Sequence, residues 1–480
     1  KIYMLGKAPS YVDAMPSADA SFLDQMIFLG FDTDALVRAL EPYRLADVRY
    51  VKDGTRTTTL LSQVREADGK EYVFLAHGRA DLCPPCMPAE EENGPAVEIT
   101  FPGCRKVRLL DTMTGEIRLP EAVSDGRSTA VSVHLGAEES FLFELTEAKD
   151  AYDDRKRSPG KKLLSEEYLP VPDSFTTEED NVLLLDMVSS YALDGKEMGG
   201  REEILRVDDA VRGHLSMRRR TDAFPQPWLT GTENPKDHEV TLRFTVVSET
   251  DVPAADLAFE GDTDVRISWN GEESRWKEGG SFIDRSIRRI PLGTVKKGEN
   301  ILVMQIPFGV MTNLEWVYIL GNFGVRVIGD RAVITERPEK LFYGDYTRQG
   351  FPFYGGNMVY ETTFECHAGY AEIRFPHYAG TLLEVSVDGG AWIPAFTEPV
   401  HAGLGSLAAG SHRLCIRVYG SRFNTFGQLH NCNDGELYWG PKTWRTSSDA
   451  WCYEYRLREQ GLTAAPIVRV FSDPKGGKTE

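Results

Sequence analysis

The chain has 480 residues, 41% of them hydrophobic, and a formal net charge of -19. That length allows about three domains, each with apolar residues enough for its own core. The acidic balance argues against nucleic acid or an anionic membrane as partner, and no run of about 18 apolar residues is present to cross a bilayer.

In chain order, residues 1–42 open on a short apolar strand, Ile2-Tyr3-Met4-Leu5, closed by Gly6, and reach an amphipathic stretch, 33–40, that predicts a helix. They read as the last piece of an α/β domain, which leads us to expect further sequence before Lys1. Residues 43–147 change to alternation: Val97, Ile99 and Phe101, then Val131, Val133 and Leu135, then Phe141, Phe143 and Leu145. With turn signals at Asp68-Gly69 and Thr114-Gly115, this predicts a small β-sandwich.

Residues 148–235 read as a charged, proline-containing connector. It carries an apolar strand at 182–185, a hairpin signal at Leu193-Asp194-Gly195-Lys196, and a helix with Ile204, Val207, Val211 and Leu215 on one face. Residues 236–335 begin with alternation, placing Val240, Leu242, Phe244 and Val246 on one side. There a strand ends at Asn270-Gly271, a loop follows, and Gly298 feeds another strand. Residues 336–480 repeat that grammar with Asp388-Gly389 and Gly410, the Asx-Gly turns lying 118 positions apart. The fold class expected is mostly β, with tandem β-sandwich or jelly-roll domains after a short α/β remnant.

Seven cysteines, an odd number spread thinly, do not make a disulfide framework. Cys83-Pro84-Pro85-Cys86, with His77 upstream, lacks the second pair that a zinc site needs and reads as ordinary loop cysteines. This usage favours a cytoplasmic over a secreted setting. No cofactor is expected; structural calcium is the one metal considered, at Glu90-Glu91-Glu92 or Asp262-Thr263-Asp264, and neither has the ligand spacing of a calcium loop.

Aromatic rings that stack on sugar faces, beside amides and arginines that bind hydroxyls, single out Trp276, Trp439 and Trp444, and the polar cluster Arg422, Asn424, His430 and Asn431. Packing and hydrogen-bonded turns are the plainer reading of the same residues. Glu315, between Leu314 and Trp316, is the acid whose neighbours suggest burial. His401 and His412 read as surface or satisfied groups.

Trp269-Asn270-Gly271 followed by Gly298-Glu299-Asn300 resembles the sugar-binding jelly-roll module of family 2 glycoside hydrolases. The segments 112–116, 181–186, 315–324 and 419–427, in this order, are similar to the C-terminal region of large bacterial family 106 α-L-rhamnosidase-like enzymes. In that group a catalytic (β/α)8 barrel precedes a flavodoxin-like domain and several β-sandwiches. The resemblance implies that residues 1–42 end such a flavodoxin-like domain and that the barrel lies outside this sequence. It implies a non-catalytic accessory region of a multidomain glycoside hydrolase, whose partners are the missing catalytic domain and an oligo- or polysaccharide. Two alternatives stay open: a stand-alone carbohydrate-binding or adhesion protein, and a self-contained glycosidase with its site between sandwiches. Glycoside hydrolysis needs two carboxylates about 5 to 9.5 Å apart, one of raised pKa, and 73 acidic residues cannot single out a pair.

Overall fold

The computed structural model describes residues 2–7, 11–12, 15–16, 25–57, 60–77, 95–112, 115–134, 140–154, 162–219, 235–261, 264–274, 279–396, 400–433 and 443–472. They fall into two units, one built on Lys1–Gly160 and the other on Lys161–Phe396 with Val400–Glu480. The expectation of a mostly β chain holds in both.

In unit 1, Ile2–Met4 pairs in parallel with Met26–Phe28. The helix Thr33–Leu40 follows, capped by Asp32, whose Oδ1 accepts from the Ala35 amide at 3.0 Å. These elements leave apolar side chains in water: Ile2, Ile27, Phe28, Val37 and Leu40 are all exposed. Two five-stranded antiparallel sheets form the sandwich. One runs Ile117–Arg118, Arg105–Leu110, Ser140–Glu147, Lys70–His77, Leu60–Ala67; the other runs Tyr152–Asp153, Ala122–Ser124, Ser128–His134, Ala96–Pro102, Asp47–Tyr50. The alternating residues Val97, Ile99, Phe101, Val131 and Phe143 meet between them, buried. Glu144 falls on the opposite phase yet is also buried, because Lys70 at 2.8 Å and Arg108 at 2.7 Å clamp its carboxylate.

Unit 2 holds two sandwiches, one threaded through the other. The chain lays down β1 (Leu163–Tyr168) and β2 (Ser174–Thr177), then builds an inner sandwich. Its elements are β3 (Asn181–Leu185), β4 (Ser190–Leu193), β5 (Lys196–Gly199), helix α1 (Ile204–His214), β6 (His238–Ser248), β7 (Val252–Glu260), β8 (Arg266–Trp269), β9 (Glu272–Glu273), β10 (Asp284–Val295), β11 (Gly298–Phe308) and β12 (Val317–Gly321). It returns to complete the outer sandwich with β13 (Met358–Cys366), β14 (Gly369–Arg374), β15 (Leu382–Val387), β16 (Ile393–Ala395), β17 (His401–Leu407), β18 (Gly410–Tyr419) and β19 (Ile467–Phe471). The inner sheets include β3-β12-β7-β10 and β5-β4-β6-β11-β8-β9; the outer sheets are β1-β19-β14-β17 and β2-β13-β18-β15-β16. Apart from β5, which has no counterpart in the outer sandwich, these orders correspond strand for strand, so the repeated turn grammar marks a repeated topology.

The connector expected over 148–235 needs correction. β1 pairs with β19, β2 with β13 and β3 with β12, so the segment supplies strands to both sandwiches. Leu169 lies in the outer core, and Val182, Leu183, Leu184 and Leu185 in the inner one. The sandwiches are therefore nested, not simply consecutive. Backbone amides of strands ending at residue 471 find their partners some 300 residues earlier, which no local pattern reveals.

At the two turns that define the repeat, Asn270 (φ 52°) and Asp388 (φ 49°) take left-handed backbone, each followed by glycine at positive φ. Their side chains also pin the strand that comes next across the sheet. Asn270 Oδ1 accepts from the Ile301 amide at 2.8 Å, and Asp388 Oδ1 from the Arg413 amide at 2.9 Å.

Candidate functional site

The link from β2 to β3 carries three consecutive acids, Glu178, Glu179 and Asp180, across from the outer to the inner sandwich. Each is held by a different arginine. Arg417 of β18 donates to Glu178 at 2.9 Å, Arg422 grips Glu179 through both terminal nitrogens, and Arg289 of β10 pairs with Asp180. Asn181 fixes the end of the link by donating to the carbonyls of Phe323 at 2.8 Å and Gly350 at 2.9 Å.

A cleft of about 620 Å³ opens over this link, lined by the three acids, Arg289, Arg337 and Asn322 among others. Arg337 lies 5.4 Å over the Phe175 ring and 5.3 Å over that of Phe351, and donates to Thr177 Oγ1 at 3.0 Å. Burial pushes its pKa below the ordinary arginine value. At the rim Ile283 has φ 62° and is 51% exposed. A β-branched residue is strained in that conformation, and such strain gathers where binding or switching occurs. Chemically, the cleft offers fixed carboxylate acceptors, guanidinium donors and one amide, a set that matches the hydroxyls of a polar ligand.

A second cluster is sealed inside unit 2. Asp186, at the end of β3, accepts from the Tyr455 hydroxyl at 2.6 Å and meets His430 Nε2 at 2.7 Å. The His430 Nδ1 lies 3.0 Å from the Cys452 carbonyl, and the ring packs against Trp451 and Tyr455. Glu203, the N-cap of α1, accepts from the Leu205 and Arg206 amides at 2.9 and 3.0 Å, and from Trp316 Nε1 at 2.7 Å. Burial pushes Glu203 up to about 7, against the Trp316 hydrogen bond, with the Asp186 charge adding to the rise. For His430 burial works against the charged ring, yet the hydrogen bond and charge of Asp186 outweigh it and raise the pKa. None of Asp186, Glu203 or His430 is more than 2% exposed, so the cluster is a polar keystone of the interior.

The residues singled out from sequence are placed as follows. Trp276 and Trp439 lie outside the described residues, as do Cys83, Cys86 and the acids at 90–92. Arg422 serves the cleft through Glu179. Asn424 is buried and bonded both ways to the Arg458 backbone, at 2.8 and 2.9 Å. His430 belongs to the interior cluster, and Asn431 donates to the Thr443 carbonyl at 3.1 Å. Trp444 packs on the inner core with Nε1 donating to the Phe426 carbonyl at 3.1 Å. Glu315 is only partly buried, whereas among the described residues Asp186, Glu203 and Asp208 are the acids with no exposure. The sequence signal for two of them was present: an acid closing an apolar strand, and one directly before an apolar-periodic helix. His412 joins Asp388 at 2.6 Å, and Asp264 pairs with Lys236 at 2.8 Å. Among the described residues, no group of three or more His, Cys, Asp or Glu is placed to share a metal ion, and no helix is long and apolar enough to cross a membrane.

No family model and no curated protein matches the chain. Among solved structures it is similar to the rhamnosidase from Novosphingobium sp. PP1Y, at 12% identity and a TM-score of 0.42, over 97% of this chain and 31% of that one. It is similar also to the α-L-rhamnosidase from Streptomyces avermitilis, at 11% identity and 0.23, over 88% and 40%. A third is the GH2 β-galacturonidase from Eisenbergiella tayi, at 10% and 0.17, over 50% and 36%. The chain spans about a third of the length of the first of these proteins. Likeness this distant does not assign an activity to the chain.

Proposed function

We propose that this chain is a non-catalytic accessory region of a larger glycoside hydrolase, and that it contacts carbohydrate at the cleft between its nested sandwiches. One observation carries the reading: the three acids of the β2–β3 link are each engaged by an arginine. A carboxylate clamped by guanidinium is held in place as a hydrogen-bond acceptor, which suits recognition of hydroxyls. The carboxyl that does sit near neutrality, Glu203, is buried away from any substrate. The exposed apolar residues of the N-terminal strand pair and helix support a further α/β layer packing on them, as an upstream catalytic portion would bring.

Titration calorimetry of the chain against L-rhamnose, galacturonate and their oligomers tests this reading. Binding at millimolar or better, weakened at least tenfold by Arg337→Ala or Asn322→Ala, is expected. No binding to any of them by the folded chain rejects carbohydrate contact. The carboxylate-lined position of the cleft favours the rival reading, a self-contained glycosidase. Turnover of nitrophenyl glycosides by this chain, abolished by Glu178→Gln or Asp180→Asn, is the result that would establish it instead.

A further inference from the structure

Outside the cleft and the buried cluster, the cysteines hold chemistry that neither uses. Five described cysteines are free thiols. Cys104 donates to the Asp150 carbonyl, and Cys366 to that of His367. Cys432 and Cys452 differ, because the fold brings them together. Asn431 and Trp451 form an antiparallel bridge, flanked by hydrogen bonds from the Cys432 amide to the Ala450 carbonyl at 2.8 Å and from the Cys452 amide to the His430 carbonyl at 3.0 Å. Each cysteine is the residue after a bridged one, so alternation puts both side chains on one face as diagonal neighbours across the bridge, where the Cys432 thiol acts on Cys452, whose Sγ also donates to the Glu454 carbonyl at 3.1 Å. Both are partly exposed.

We propose that Cys432 and Cys452 are the two halves of a reversible disulfide that closes the intervening chain into a ring and fastens the strap at 443–451 to the inner sandwich. That strap is worth fastening: Arg445 donates to the Leu205 carbonyl and to Asp209, each at 2.9 Å, and Trp451 packs on His430. The oxidant is a low-molecular-weight disulfide. The Cys432 thiolate attacks one sulfur of it, forming a mixed disulfide and expelling one small thiolate. Cys452 then loses its proton and attacks the Cys432 sulfur, expelling the second small thiol. Two protein thiols are oxidised and one small disulfide is reduced to two thiols. Burial and the Cys432 hydrogen bond push the Cys452 thiol up to about 12, which makes it a poor first nucleophile and gives the first attack to Cys432.

The test is to incubate the full chain with oxidised glutathione, alkylate the remaining thiols and map tryptic peptides without reduction. Trypsin separates the two cysteines into peptides 423–442 and 446–456, each with a single cysteine. The expected product is these two peptides joined, lighter by about 2 Da than their sum, and restored to separate peptides by dithiothreitol. The oxidised chain should melt a few degrees higher, roughly 3–6 °C, with no rise in Cys452→Ser. Full alkylation of both cysteines in the folded chain, or joining of either to a different cysteine, overturns the proposal. A joined pair without a melting shift overturns its fastening role.

Discussion

At Glu203, burial and hydrogen bonding contend over one carboxyl. Three N–H donors favour its charged form, but burial wins and carries it from an ordinary 4.5 to about 7. The folded value lies above the unfolded one, so its contribution is fully present below about pH 4.5 and is lost as pH rises through 7. That loss amounts to roughly 3 kcal/mol. His430, raised by Asp186 despite burial, acts in the same sense. Urea unfolding of the chain should therefore show falling stability between pH 5 and pH 8, and Glu203→Gln should flatten that slope while lowering stability at pH 5, since its amide sets a donor against Trp316. An unchanged slope in the variant would remove Glu203 as its source. Ile283 supplies a second test at this scale. If its left-handed backbone is strained, Ile283→Gly should raise stability by up to about 1 kcal/mol in a thermal melt, despite the extra freedom glycine gives the unfolded chain.

Turns and strands show how local chemistry selects elements. The hairpin at Asp194-Gly195 repeats the device of the Asn270 and Asp388 turns: Asp194 has φ 49° and its Oδ1 accepts from the Glu239 amide at 2.9 Å. Short side chains that tolerate φ > 0 and can also accept a hydrogen bond are what such corners need. Asn270→Ala loses both properties together with the bond to Asn300 Oδ1 at 2.9 Å, and should cost roughly 2 kcal/mol in chemical denaturation. Asn270→Asp should cost clearly less. These turns were legible in the sequence because their requirement is local. So were the buried faces of β6 and α1, where Val240, Leu242 and Phe244, and Ile204, Val207 and Val211, recur with periods of two and about four. β1 was not legible. It is an edge strand with Leu163 and Leu164 both exposed, so its pattern carries little of the alternation that a two-sided environment imposes.

Across the whole of unit 2, nesting makes the outer sandwich depend on chain that precedes the inner one. Leu169, in the stretch read as a connector, is 5% exposed within the outer core. A surface linker would tolerate Leu169→Ala within about 0.5 kcal/mol, whereas a core position should lose about 2–4 kcal/mol, a difference that equilibrium unfolding resolves. The candidate site follows from the same arrangement. Glu178, Glu179 and Asp180 form a solvated charge run in sequence, and only the crossing between sandwiches sets them against Arg417, Arg422 and Arg289 from distant strands. By itself the sequence determined the class of structure, the turns and the inward faces, since periodicity and backbone conformation are decided within a few residues. Which strands pair, which acids are buried and which arginine meets which carboxylate were decided by the tertiary structure alone, because hydrogen bonds and ion pairs join whatever the fold brings together and leave no mark on spacing along the chain.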